Sequence, residues 1–187
     1  LESGADSFAD YEILEMLLFA AIPRRDVKTL AKELIGIFGS LAAVLAASPL
    51  RLTREGGLSE NAAAFLKTVH AAGLRSGRET MTKRTVLGSW ATLTDYLRSA
   101  MAHEETEQVR LLFLDRKNGL IRDEVQSRGT IDAAALYPRE VVKRALELGA
   151  AAIILVHNHP SGDPTPSQQD VQITKAVIAA AEPLGLV

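Results

Sequence analysis

The residues with the most chemistry to offer lie in one stretch, His157-Asn158-His159-Pro160-Ser161-Gly162-Asp163-Pro164-Thr165-Pro166-Ser167-Gln168-Gln169-Asp170. The chain has four histidines, and two of them stand here with one residue between them. On an extended segment, side chains two apart project to the same side, so both imidazoles can face one metal ion. Asp170 adds a carboxylate. Two imidazoles and a carboxylate leave a fourth position open for water, the arrangement of a catalytic zinc site. Ligand type favours zinc over iron or manganese, and the expectation is one zinc ion per chain, held by His157, His159 and Asp170. A local reading of the same residues stands beside this one. Ser167 and Asp170 also spell a capping-box variant, in which the carboxylate favours the positive end of a helix dipole. The two roles are compatible for a helix that starts beside a metal. Ser161 and Asp163 lie in the same loop as supporting groups or, more simply, as turn residues.

The elements around this stretch must deliver it. Ala150 to Val156 (AAAIILV) is a β-rich apolar run and predicts a fully buried central strand, with the histidines at its carboxyl end. That is where α/β sheets place their sites. Ser167 predicts the N-cap of a helix from Gln168 to Ala181. Upstream, Val109 to Leu114 (VRLLFL) predicts a strand, Asn118-Gly119 a hairpin turn, and Leu120 to Arg128 the returning strand. Trp90 to Met101 reads as a helix. Pro138 suits the first turn of another that runs to about Leu148 and is stopped by Gly149. The alternation is an α/β pattern. Pro183 to Val187 begins what looks like a further strand, so the expectation is a fragment that lacks one or more closing strands.

The amino-terminal part has a different texture. Helices are predicted over Ala9–Ala21, ended by Ile22-Pro23; over Val27–Phe38, capped by Asp26 and stopped by Gly39; and over Leu41–Ala47. After Ser48-Pro49 a loop is expected to lead to Gly56-Gly57-Leu58-Ser59. Ser59 then caps a helix from Glu60 to about Ala72, with Gly73 just past its end. Arg75 to Thr85 (RSGRETMTKRT) reads as a linker or a solvated helix end, which puts a domain boundary near Thr85 and gives domains 1–85 and 86–187.

Composition narrows the classes. A chain of 187 residues is too short for a TIM barrel of about 250, and 47% hydrophobic with 24% charged residues is globular rather than disordered. No cysteine is present, which excludes disulfides, Cys-ligated zinc and a Cys nucleophile. The expected location is the cytoplasm, a reducing compartment compatible with that composition. The net charge of −2 makes no global electrostatic case for nucleic acid or an anionic membrane. The longest uncharged run, Leu34 to Leu50, is broken by Gly36, Gly39, Ser40, Ser48 and Pro49. It reads as two short buried segments rather than a membrane span. No signal-peptide pattern is visible, although a chain that opens on Leu1 rather than Met leaves a removed leader open.

His157-x-His159, seven residues, Ser167, two residues, Asp170 resembles the JAMM motif of the JAB/MPN-type metalloproteases. The string HNHPSGDPTPSQQD after YPREVVKRALELGAAAIILV resembles the bacterial RadC family in particular. ADYEILEMLLFAAIPRRDVKTLAKELIGIFGSLAAVLAA and LLFLDRKNGLIRDEVQSRGTIDAAALY extend that likeness over the chain. The resemblance implies a cytidine-deaminase-like α/β domain with a central mixed sheet behind a small all-α domain. It also implies a general-base glutamate just before the first core strand. Glu107 fits that place. Glu104 and Glu105 are its rivals, a solvated acidic helix end is the bland reading of all three, and Glu124 is a weaker candidate deep in the second strand. On this resemblance zinc held by His157, His159 and Asp170 activates water, Glu107 moves the proton, and Ser167 hydrogen-bonds the oxyanion, so that a peptide, isopeptide or other amide is hydrolysed.

Leu52 to Ser59 followed by a helix resembles the hairpin of a helix-hairpin-helix module, whose turn offers backbone N–H groups to a phosphate. Gly56 stands where proline is usual and Ser59 where the second glycine is usual. An ordinary helical hairpin is the simpler reading. A DNA-associated binding or repair accessory protein is therefore the alternative to the hydrolase.

Overall fold

The computed structural model describes residues 8–82, 90–102, 104, 106–128 and 136–187. The expected boundary at Thr85 and the candidate Glu105 lie outside the described residues. The chain divides into two compact units between Arg75 and Ser76.

The first unit is helical: α1 (Asp10–Ala21), α2 (Lys28–Phe38), α3 (Leu41–Ala46), α4 (Pro49–Arg54) and the first part of α5 (Glu60–Thr82). Apolar residues three or four apart face inward. Leu14 and Leu18 of α1 meet Ala31 and Leu34 of α2, Val44, Leu52 and Leu66, all fully buried; each such leucine contributes about 1.5–3 kcal/mol on burial. Asp26 accepts from the Lys28 N–H (2.9 Å), although Val27 is the residue at the N-cap. Gly39 ends α2 with φ of +95°, a conformation that favours glycine.

Two expectations fail here. The segment after Ser48-Pro49 is a helix, α4, and not a loop: Ser48 Oγ accepts from the Arg51 N–H (3.3 Å) and Pro49 occupies the first turn. The serine-proline pair is itself a helix-start signal. And α5 does not stop at Ala72 but runs through Gly73 to Thr82. A glycine weakens a helix interior by about 1 kcal/mol without ending it, and nothing lies within 4 Å of a Cβ built at Gly73.

The second unit holds the end of α5, α6 (Trp90–Met101), β1 (Gln108–Leu114), β2 (Leu120–Arg128), α7 (Pro138–Glu147), β3 (Ala152–His157) and α8 (Gln168–Ala181). The strand order is β2-β1-β3 and both pairings are antiparallel. The Asn118-Gly119 turn joins β1 and β2 as predicted, with Asn118 at φ +59°. One face of the sheet packs Leu111 and Phe113 against Val141, Ala145, Val177 and Ala181 of α7 and α8. On the other face Arg110 donates to both oxygens of Asp123 (2.8 Å each), and the Tyr96 hydroxyl of α6 donates to the same carboxylate. This pairing accounts for two charged side chains in the interior.

β1, not β3, is the buried central strand. Residues 111–114 are fully buried, whereas every residue of β3 is half-buried. Both runs are apolar, and an apolar run shows that a strand is covered without showing which strand takes the middle. The sheet is antiparallel where a mixed one was expected. Among the described residues, a parallel feature is at Val187, whose N–H bonds Ala151 O (3.1 Å) and whose carbonyl accepts from Ile153 (2.8 Å). The predicted strand from Pro183 is instead a 3-10 turn over Glu182–Leu184 followed by a left-handed Gly185. Among the described residues no helix is long and apolar enough to cross a membrane.

Candidate metal centre

β3 ends at His157, and α8 begins at Gln168 behind its Ser167 cap. The ten residues between them fold back so that the strand end and the helix start meet. Gly162 turns with φ +79° and its N–H bonds His159 O (2.9 Å). The capping box expected of Ser167 and Asp170 is present: Ser167 Oγ accepts from the Asp170 N–H (3.2 Å), and Asp170 Oδ2 accepts from the Ser167 N–H (2.7 Å).

The same Oδ2 faces the histidines. His157 Nε2 and His159 Nε2 are 2.9 Å apart, and Asp170 Oδ2 lies 3.3 Å from the first and 3.5 Å from the second. His159 Nδ1 is 2.6 Å from the carbonyl of Asp163. A carbonyl only accepts, so Nδ1 carries the hydrogen and Nε2 turns a lone pair into the cluster. Nitrogen and oxygen atoms this close are held together by a proton or a cation among them. A tetrahedral zinc with bonds of about 2.0–2.1 Å has ligand–ligand edges of roughly 3.3 Å, and the observed triangle of 2.9, 3.3 and 3.5 Å matches it. The donor set therefore fits zinc. Partial burial works to raise the Asp170 pKa, but the Ser167 hydrogen bonds and the two histidines outweigh it and hold the carboxyl below its ordinary value.

Asp163 enters through its backbone. Its side chain accepts from the Thr165 N–H (2.9 Å), and hydrogen bonding from the Thr165 hydroxyl, with that from its N–H, holds its own pKa low. Ser161 Oγ accepts from the Asp163 N–H (3.3 Å). Both are turn chemistry, and the turn aims the Asp163 carbonyl at His159.

The cluster sits in a cleft of about 700 Å³ that Glu107, Val109, Leu155, Ser167 and Ile173 also line. Strand register explains the presence of Glu107. Val109 pairs with His157, so a residue two before Val109 falls on the same face as His157. Glu104 does not line the cleft. Glu124 is occupied elsewhere: Arg144 Nη2 donates to it at 2.6 Å and lowers its pKa. Asn158, which sequence reasoning passed over, stands between the two histidines and holds the segment around Glu107. Its Oδ1 accepts from the Gln108 N–H (2.9 Å) and its Nδ2 donates to Thr106 O (3.2 Å). No sequence signal points to partners fifty residues away.

Three N–H groups of the hairpin in the first unit bond within the chain. Gly56 N–H bonds Arg51 O (3.2 Å), Leu58 N–H bonds Leu52 O (3.1 Å), and Ala62 N–H bonds Ser59 Oγ (3.3 Å). Arg51 is tied to Glu55 at 2.7 Å. A Cβ at Gly56 would fall 2.6 Å from Leu34 and 2.8 Å from Leu52 O, so packing explains this glycine.

Comparison with known proteins bears on the second unit above all. A family model described as RadC-like JAB domain matches residues 87–187. The whole chain is 58% identical to a protein from Rhodobacter capsulatus designated UPF0758 protein, and the match covers 87% of that relative.

Proposed function

The chain belongs to the RadC family, and from that premise we propose that it is a zinc-dependent amide hydrolase of the JAMM type. The observation that carries the reading is the convergence of His157, His159 and Asp170 on one point beside a cleft that also holds Glu107. His157, His159 and Asp170 would hold the ion, which when bound would supply a water of lowered pKa and polarise the substrate carbonyl. Glu107 takes the proton of the attacking water and returns it to the leaving amine. Ser167 serves twice: its oxygen caps α8 by accepting from Asp170, and its own O–H remains to donate to the oxyanion. The Asp163 carbonyl keeps His159 in the tautomer that binds metal.

The substrate class is an amide, whether a peptide, an isopeptide or a non-protein amide. The test is cleavage by zinc-loaded protein of a peptide library and of isopeptide-linked peptide pairs in ¹⁸O-water, read by mass spectrometry. Cleavage with label in the new carboxylate is expected, and Glu107→Gln is expected to lower it about 100-fold or more with zinc retained. Equal cleavage by Glu107→Gln would contradict the assignment of the base.

A further inference from the structure

The β1–β3 ladder ends at the pair Val109 and His157. One step further the backbone of β3 leaves the sheet, yet the pairing continues through a side chain. Asn158 Oδ1 accepts from the N–H of Gln108 (2.9 Å), and Asn158 Nδ2 donates to the carbonyl of Thr106 (3.2 Å). In an extended chain the carbonyl of one residue and the N–H of the second residue after it point to the same edge. The amide thus grips the backbone on both sides of Glu107 in the way a neighbouring peptide unit would. The grip needs one acceptor and one donor at a fixed spacing, which a primary amide provides.

We propose that Asn158 is a positioning residue: its clamp on Thr106 and Gln108 sets where the Glu107 carboxylate stands relative to His157, His159 and Asp170. The proposal rests on the reading of Glu107 as the base. Asn158 is flanked by the two histidines in sequence, so the clamp ties base and ligands into one frame. Without it, the short segment before β1 is free to move Glu107 while the ligands stay in place.

The test uses the full chain, zinc-loaded, and acetohydroxamate as probe, a small chelator that gives its acidic proton to a carboxylate beside the metal. Affinity is read by calorimetry. Glu107→Gln is expected to weaken binding about tenfold, the scale of a charged hydrogen bond. Asn158→Ala is expected to weaken it by a similar factor, and the double variant by no more than either single one. Asn158→Asp, which keeps the acceptor for Gln108, is expected to fall between wild type and Asn158→Ala. Zinc content stays unchanged throughout. Amide exchange is expected to speed up at Gln108 and to stay slow at Leu111 and Leu155; if Asn158→Ala loses all protection, Asn158→Asp carries the comparison. Wild-type affinity in Asn158→Ala, a loss that adds to that of Glu107→Gln, or loss of zinc in Asn158→Ala would overturn the proposal. Wild-type affinity in Glu107→Gln would instead overturn the base itself, and the role of Asn158 with it.

Discussion

Two helices of this protein begin in the same way and end up with different chemistry. α5 starts behind Ser59 and α8 behind Ser167, each after a turn with a glycine at positive φ, Gly57 at +64° and Gly162 at +79°. In both, the serine oxygen accepts from the backbone three residues on. The difference is the third helical residue. In α5 it is Ala62, fully buried in the core of the first unit. In α8 it is Asp170, turned toward His157 and His159. A capped helix start is a local device. What it does depends on whether its third position faces the interior or an outside partner, and that depends on packing rather than on the cap.

The sharpest way to break this contrast is at the Gly-rich turns. Gly56→Ala puts a methyl against Leu34 and the Leu52 carbonyl. It is expected to destabilise the first unit by about 1–3 kcal/mol, the scale of overpacking, and to leave zinc binding by the second unit unchanged. Denaturant unfolding with zinc stoichiometry checks both halves; an equal loss of zinc would mean that the two regions are not separable.

The caps sharpen the contrast next. Ser59→Ala and Ser167→Ala are each expected to cost about 1 kcal/mol of stability. Only Ser167→Ala is expected also to slow hydrolysis, because only that hydroxyl faces the cleft. Matching activities in the two variants would remove Ser167 from the chemistry.

The smallest effect is in acid. The folded pKa of Asp170 lies below its ordinary value, so its contribution to stability is full above the unfolded pKa of about 3.9 and is lost as pH falls through the lower folded value. Metal-free wild type and Asp170→Asn are expected to differ in melting temperature at neutral pH and to converge below about pH 4. Ser59→Ala, with no carboxylate opposite the serine, is expected to show a difference from wild type that does not change with pH in this range. A gap between wild type and Asp170→Asn that persists in acid would contradict the electrostatic account.

Much of this was legible in the sequence, and the gaps have physical reasons. Gln168–Ala181 was readable to the residue because Ser167 and Asp170 mark its start. Asn118-Gly119 marked its hairpin because φ near +60° suits few residues. α4 is not legible from periodicity although Ser48-Pro49 announces it, because a helix of fewer than two turns is too short for apolar periodicity to register. The choice between β1 and β3 for the centre of the sheet lies in pairing between distant segments, which composition does not encode. The side chains of His157, His159 and Asp170 lie together, as their spacing suggested. Glu107 was placed on family pattern, and register supplies the physical reason through the pairing of Val109 with His157. Asn158 was invisible because its partners are set by the fold.

Elemental analysis of metal in the purified protein, wild type beside His159→Ala, tests the central claim most directly. The account predicts about one zinc per chain in the wild type and a loss of most of it in the variant, whose melting temperature without metal stays close to that of the wild type. No zinc bound by a folded wild type after incubation with the ion, or equal zinc in the variant, would contradict it.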